Sequence, residues 1–308
     1  MGRSGLQVSR FGLGTMTWGR DTDQFEARDQ FTMFLAAGGT LFDTADVYGS
    51  GAAEELLGGL IAEHAARDDV VILTKAGGRR ERNRRFDASR GHLLRSIDAS
   101  LRRLGTDYVD LWLVHGWDDL TPIEETLDAL HAVYRSGRAR YVGVSNYRPW
   151  QLARTATLAA ELGLPLVANE VEYSLLARAD EEDAVAAAEA VGAGLVAWSP
   201  AGRGVLTGKY RHGTPADSRG ASPHFGGFVN EYLTSAHRRV VDAVCTAADG
   251  LGVSPVEVAT AWVRDRPGVA SALVGPRTAA QLRGVLGADE LTLPAEIRTA
   301  LDEISSPG

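Results

Sequence analysis

The sequence is short of the features that would place a chain outside the ordinary enzyme-like classes. One cysteine, Cys245, stands alone among 308 residues, which excludes an internal disulfide. No apolar run approaches the roughly 20 residues that a bilayer-spanning helix needs, and the N-terminus M-G-R-S-G-L-Q-V has neither an apolar h-region nor a cleavage site, so a cytoplasmic location is expected. Basic residues are never dense or interleaved with aromatics; the net charge is −8 with both signs mixed, which argues against nucleic acid. The R-R-E-R-N-R-R cluster at 79–85 reads as a solvated loop. His64, His92, His131, His212, His224 and His237 lack metal-ligand spacing, and one cysteine adds little, so no metal is expected. The dinucleotide fingerprint of open α/β sheets is also missing: G-L-G-T-M-T from Gly12 and G-R-G-V-L-T from Gly202 lack the third glycine and the βαβ context.

What remains is a chain long enough for a large core, 44% hydrophobic and 23% charged, compatible by composition with one barrel or two domains. Eight short apolar runs, at 11–15, 40–45, 70–75, 109–115, 141–146, 167–172, 195–200 and 271–275, mostly fail to alternate. Such strands are buried on both faces, as in a parallel sheet covered by helices. Leu93, Ile97, Leu101 and Leu104 share a helical face that starts near Ser89 and stops at Gly105. Thr121, Pro122 and Glu124, and later Ser254, Pro255 and Glu257, read as a cap, a first-turn proline and a capping-box acid. Strand then helix, about eight times over without a linker, points to a closed α/β barrel, (β/α)8 of the TIM type, as a single domain over 1–308. The Gly-rich, polar stretch 203–233 is the exception, a long loop after the seventh strand.

In such a barrel the C-terminal strand ends share one face. L-F-D-T-A-D-V-Y-G ends one strand on Asp43 and Tyr48, V-V-I-L-T-K ends another on Lys75, and V-D-L-W-L-V-H a third on His115. A neighbouring ammonium favours phenolate, so Lys75 makes Tyr48 a usable proton donor or acceptor, with Asp43 holding Lys75 in place. His115 is placed to orient and polarise a carbonyl oxygen. No side chain delivers hydride, so the set implies a cofactor such as a nicotinamide. Asp46, between Asp43 and Tyr48, has no role in this reading.

The motifs D-T-A-D-V-Y-G, L-T-K, L-V-H, G-V-S-N-Y, V-E-Y-S-L-L, W-S-P and L-T-G-K-Y, in that order over nearly the whole chain, resemble those of the aldo-keto reductase superfamily, whose barrel binds NADPH without a Rossmann domain. The resemblance implies that Tyr48 is the general acid of carbonyl reduction, that Asp43 and Lys75 tune it, and that His115 positions a small-molecule carbonyl substrate. Trp117 and Trp18 would wall the substrate site. It also implies an NADPH/NADP+ site: Thr15 and Met16 beside the nicotinamide, Ser145 and Asn146 on its carboxamide, Trp198 stacked on its ring. Ser199, Pro200, Ala201, Gly202, Arg203 and Gly204, with Lys209 and Arg219, would cover the pyrophosphate. Gly275, Arg277 and Gln281 fall at the adenosine end, where the fork of Arg277 suits a 2′-phosphate.

Three positions depart from that pattern. Glu170 stands where the family usually has glutamine, and an ionised glutamate only accepts hydrogen bonds. It is expected to take the carboxamide NH2 and to favour the oxidised cofactor. Gly284 and Val285 replace the acid and asparagine that often bind adenine, and H-G-W-D-D follows the fourth strand. Taken singly these residues have ordinary explanations: a capping aspartate, a solvated lysine, a core histidine, Trp198 as barrel packing, Arg277 as plain surface. Two other functions compete with reduction. One is a cofactor-bound regulatory subunit like the potassium-channel β subunits, which usually lack the histidine; the other is a hydrolase using Glu170 and Glu172, which share a strand face.

Overall fold

A computed structural model describes residues 1–79 and 84–307, so residues 80–83 of the arginine-rich cluster lie outside the described residues. Eight parallel strands close on themselves in sequence order: β1 (Phe11–Gly14), β2 (Leu41–Asp43), β3 (Val71–Ala76), β4 (Val109–Val114), β5 (Ala139–Ser145), β6 (Leu166–Glu172), β7 (Gly194–Trp198) and β8 (Val269–Val274). The ring closes where Phe11, Gly12 and Leu13 of β1 pair with Ala272, Leu273 and Val274 of β8. Helices α1 (Gln24–Ala36), α2 (Ala52–His64), α3 (Arg90–Leu104), α4 (Ile123–Arg135), α5 (Pro149–Glu161) and α6 (Glu181–Val191) each follow one strand. After β7 the chain makes 3₁₀ turns and the short α7 (Gly226–Asn230), then α8 (Ser235–Leu251) and α9 (Pro255–Arg264). Two helices, α10 (Ala279–Leu286) and α11 (Ala295–Ile304), follow β8. The fold is a (β/α)8 barrel, and no helix among the described residues is long and apolar enough to cross a membrane.

Strand alternation divides the core in two. Leu41, Leu73, Leu111, Leu113, Ala168, Val196 and Leu273 fill the barrel interior. Phe42, Ile72, Trp112, Val144 and Ala197 point outward into the shell between strands and helices. The interior is tight: a Cβ on Gly12 would stand 2.5 Å from Leu273 Cδ2, so the side-chain layer closes over a bare backbone.

Helix boundaries follow local chemistry. At α9 the Ser254 hydroxyl accepts from Glu257 N–H while Glu257 reaches back to Ser254 N–H, the reciprocal cap expected from sequence. The same signal misleads at α4, which starts at Ile123 without a side-chain cap. There the Thr121 hydroxyl donates 2.6 Å to Asp118 instead, and a nearby carboxylate outcompetes the helix end.

Candidate active site at the C-terminal mouth of the barrel

The inward positions two residues beyond the leucine layer carry charge. Leu41 is followed on its face by Asp43, Leu73 by Lys75 and Ala168 by Glu170, and period-two alternation aims all three along the barrel axis. The Lys75 ammonium donates to Asp43 Oδ1 and, at 2.9 Å, to Glu170 Oε2. Lys75 is fully buried, Asp43 and Glu170 nearly so. Burial alone would lower the Lys75 pKa, but Asp43 and Glu170, with Tyr48, more than offset it, and the amine stays charged. Burial raises both carboxyls, and that of Glu170 is pushed up to about 8, with Asp43 adding to the rise and Lys75 opposing it.

This placement corrects the expectation for Glu170. One oxygen is committed to Lys75, so the side chain belongs to the charge cluster rather than to a carboxamide alone. It also removes the paired-carboxylate arrangement, since Glu172 is engaged by Arg203 instead.

Tyr48 lies in a 3₁₀ turn, Tyr48–Gly51, just above the cluster, and is half-buried. Asp46 secures that turn: its N–H donates 3.0 Å to the Lys75 carbonyl, while burial and then Glu54 push its carboxyl up to about 7. Lys75 Nζ sits 5.4 Å from the centroid of the Tyr48 ring. Burial nevertheless raises the phenol's pKa, with Lys75 pulling it down and both carboxylates pushing it up. The tuning thus runs opposite to the sequence expectation: Tyr48 is held as a phenol by burial first, and the pull of Lys75 is countered by the two acids that share its charge. The His115 ring stands 6.0 Å from that of Tyr48, nearly perpendicular. Burial, with Lys75 and Arg85, pulls its pKa down to about 3, and its buried Nδ1 has no hydrogen-bond partner. His115 is neutral, a group with an open polar atom at the mouth.

At the ends of β5 and β7, Asn146 donates 3.0 Å to the His115 carbonyl and accepts 3.0 Å from Trp198 Nε1. The Ser145 hydroxyl donates to the Glu170 carbonyl at 3.1 Å. Among the described residues, the non-glycine positions with left-handed backbone are Ser50, Asn146, Ser199 and Arg203, all on this rim. Two expected residues are drawn into the wall. Thr15 is fully buried with its hydroxyl on the Asp43 carbonyl, so it supports β2 from behind. Trp18 is also fully buried, its indole N–H bonded to Gln30, so it cannot wall a substrate site. Met16 is half-buried at the same rim.

The loop after β7 holds two kinds of arginine. Arg203 forms a two-pronged pair with Glu172 at 2.7 Å, a further pair with Glu231 at 2.6 Å, and stacks 3.7 Å above the Phe228 ring. Its fork is used up, which withdraws it from the expected phosphate-covering set. Sequence reasoning gave no role to Phe228, Glu231 or Tyr232, and only their position in a polar loop hinted at one. By contrast Arg219, Lys209 and Arg277 face one another. Arg219 is pulled down to about 10 by burial and then by Arg277, and its buried Nε has no hydrogen-bond partner. Lys209 is lowered by desolvation and then by Arg277 and Arg219. Their nearest attachments are neutral carbonyls: Arg219 on Gly275 at 2.8 Å and Arg277 on Asp217, with Gln281 accepting from Arg277 N–H. Arg277, expected at an adenosine end, is therefore grouped with the two cations of the loop, and this group of three suits a multiply charged anion.

A cleft of about 1610 Å³ adjoins Asn146 and Trp198 and runs outward past Phe228, Trp117, Tyr147 and Trp150. Trp117 packs edge-on to Tyr147 at 5.3 Å and to Trp150 at 5.4 Å. The cleft is thus aromatic on the side where Trp117 was expected, and it leads away from Tyr48 rather than enclosing it.

Residues 10–306 match the model of the Aldo/keto reductase family. A "Probable voltage-gated potassium channel subunit beta" of Oryza sativa subsp. japonica is 37% identical over 283 residues, covering 89% of this chain and 85% of the relative. An "Uncharacterized oxidoreductase" of Bacillus subtilis (strain 168) is 34% identical over 99% of this chain and 94% of its own length. An "L-glyceraldehyde 3-phosphate reductase" of Escherichia coli (strain K12) is 33% identical over 100% and 92% respectively.

Proposed function

Because the chain belongs to the aldo/keto reductase family, we propose that it reduces an aldehyde or ketone to an alcohol with NADPH, Tyr48 supplying the proton. The supporting observation is the Tyr48 phenol poised over a buried ammonium and beside a neutral imidazole. The rim fits the cofactor, because the clustered cations Lys209, Arg219 and Arg277 repel one another until an anion enters, and Arg219 Nε is a buried donor without a partner. When bound, a nicotinamide supplies the hydride.

The chain's own residues supply the rest. His115 donates from its neutral ring to the carbonyl oxygen, which polarises the bond without adding charge to the pocket. Tyr48, the weaker acid for being buried, keeps its proton until negative charge develops on that oxygen, then donates it. Lys75 attracts the phenolate that forms. Asn146 and Trp198, joined by a hydrogen bond, offer a flat polar and aromatic edge for the nicotinamide, and the cleft beyond them offers an aromatic wall for the substrate.

Tyr48→Phe tests the assignment. Turnover, followed by loss of NADPH absorbance over a panel of aldehydes and ketones, is expected to fall about 10²–10⁴-fold, with NADPH affinity nearly unchanged. Retained turnover would remove Tyr48 from the role of acid. Relatives named as potassium-channel β subunits keep a second reading in view, a cofactor-sensing subunit. That reading gains if no carbonyl compound is turned over while cofactor binds and a partner protein is captured stably.

A further inference from the structure

Lys75 sits between two carboxylates where one would suffice to hold it, and the second, Glu170, has no solvent to stabilise its charge: it is 3% exposed. Two acids and one ammonium in a dry barrel axis carry one negative charge too many, and the least costly remedy is a proton on one acid. The groups that face Glu170 are Asp43 from β2, Lys75 from β3 and Tyr48 above them, while its strand neighbours Ser145 and Val196 do not ionise in this range. His115, at the end of β4, stays neutral. Among these, both Asp43 and Glu170 accept from the Lys75 ammonium, and the charge of Asp43 opposes that of Glu170.

We infer that Glu170 stores a proton and passes it through Lys75 to Tyr48 as Tyr48 gives its own to the substrate. This rests on the reading of Tyr48 as the acid of carbonyl reduction. The transfer balances: the Tyr48 phenolate takes a proton from the Lys75 ammonium, the amine takes one from the Glu170 carboxyl 2.9 Å away, and the products are phenol, ammonium and carboxylate. Between turnovers the proton returns by the same path in reverse, entering at the half-buried Tyr48 and passing through Lys75 to the Glu170 carboxylate. The flow runs downhill, from an acid that titrates near neutrality to a phenol held far above it. No buried phenolate then builds up beside two acids. Glu170 acts through Lys75 and is a positioning residue for the proton, not a group that touches the substrate.

Two measurements decide it. The first needs no substrate: isotope-edited infrared spectra of the free protein, labelled in glutamate carboxyls, are compared with those of Glu170→Gln. Wild type should show a protonated carboxyl at about pH 6 that is lost by about pH 10, absent from the variant. A carboxylate throughout that range overturns the proton store, even in an active reductase. The second follows one round of NADPH oxidation against pH. The wild-type rate should fall about tenfold per pH unit above the Glu170 titration, while Glu170→Gln, which keeps an acceptor for Lys75 but cannot carry the proton, should be slower and flat. Superimposable profiles would defeat the delivery step. No turnover by wild type on any carbonyl compound would defeat delivery together with the reading beneath it, leaving the infrared result to stand for the free protein. Glu170→Asp, which can hold a proton, should restore part of the pH dependence.

Discussion

Two groups of charged residues, both on the C-terminal face of one barrel, are built on opposite plans. Along the axis, the Lys75 cation is surrounded by Asp43 and Glu170, in surplus of acid and shut from water. On the rim, Lys209, Arg219 and Arg277 are in surplus of base, and the two guanidinium groups rest on backbone carbonyls. Arg203 belongs to the same loop yet is paired with Glu172 and Glu231, so the loop does not lack acids in general. Lys75 and Arg203 are given carboxylates within hydrogen-bond reach; the guanidinium groups of Arg219 and Arg277 are given carbonyl oxygens. The comparison separates charges that hold the protein together from charges that wait for something else.

Removing Lys75 strikes the comparison hardest. Lys75→Met leaves two buried acids without a counter-ion and should lower turnover about 10²–10⁴-fold and stability by about 3–5 kcal/mol, read by steady-state kinetics and urea unfolding. Arg277→Ala should do the reverse to stability, leaving it unchanged or slightly higher because like charges are relieved. Its cost should fall on binding: NADPH weakened about 10–100-fold, from the loss of one or two charge-assisted bonds, and NADH hardly at all, by titration calorimetry. Equal losses for the two nucleotides would undo the assignment of Arg277 to a 2′-phosphate. Arg203→Ala sharpens the contrast within the loop, with an expected loss of about 1–3 kcal/mol and faster cleavage of the loop by protease, but little preference between nucleotides.

The smallest effect is a slope. Glu170 titrates higher in the folded chain, at about 8, than its ordinary value of 4.5. The folded state therefore holds a proton that the unfolded chain has lost, and the stability this gives is complete at low pH and drains away as pH rises toward the folded value. Wild type should lose melting temperature between about pH 5 and pH 9 by a few degrees more than Glu170→Gln, checked by calorimetry. Parallel curves would mean that Glu170 stays ionised.

How much of this was legible in the sequence depended on whether backbone or side-chain partners decided the outcome. Continuous apolar strands and caps such as Ser254 to Glu257 are local signals, and the barrel followed from them. Strand parity put Asp43 and Lys75 on the axis, and the same parity put Glu170 there; what it could not tell is that β6 faces β2 and β3 across the barrel, so Lys75 meets Glu170 at 2.9 Å. Trp18 was placed on the cleft by its neighbours in sequence, yet Gln30 of α1 draws it into the core. Arg203 likewise depended on Phe228 and Glu231 further along the chain. Pairings of that kind are set by closure of the whole ring, and no short window of sequence contains them.

The left-handed residues of the rim carry a cost that an engineer would notice first. A non-glycine side chain in that conformation destabilises the fold by on the order of 1 kcal/mol, and Ser50 and Ser199 sit there with φ of 60° and 57°. Glycine at either place would relieve that strain in the folded state, while the freer unfolded chain offsets part of the gain. The temperature at which this barrel melts is therefore set in part by the shape of its mouth.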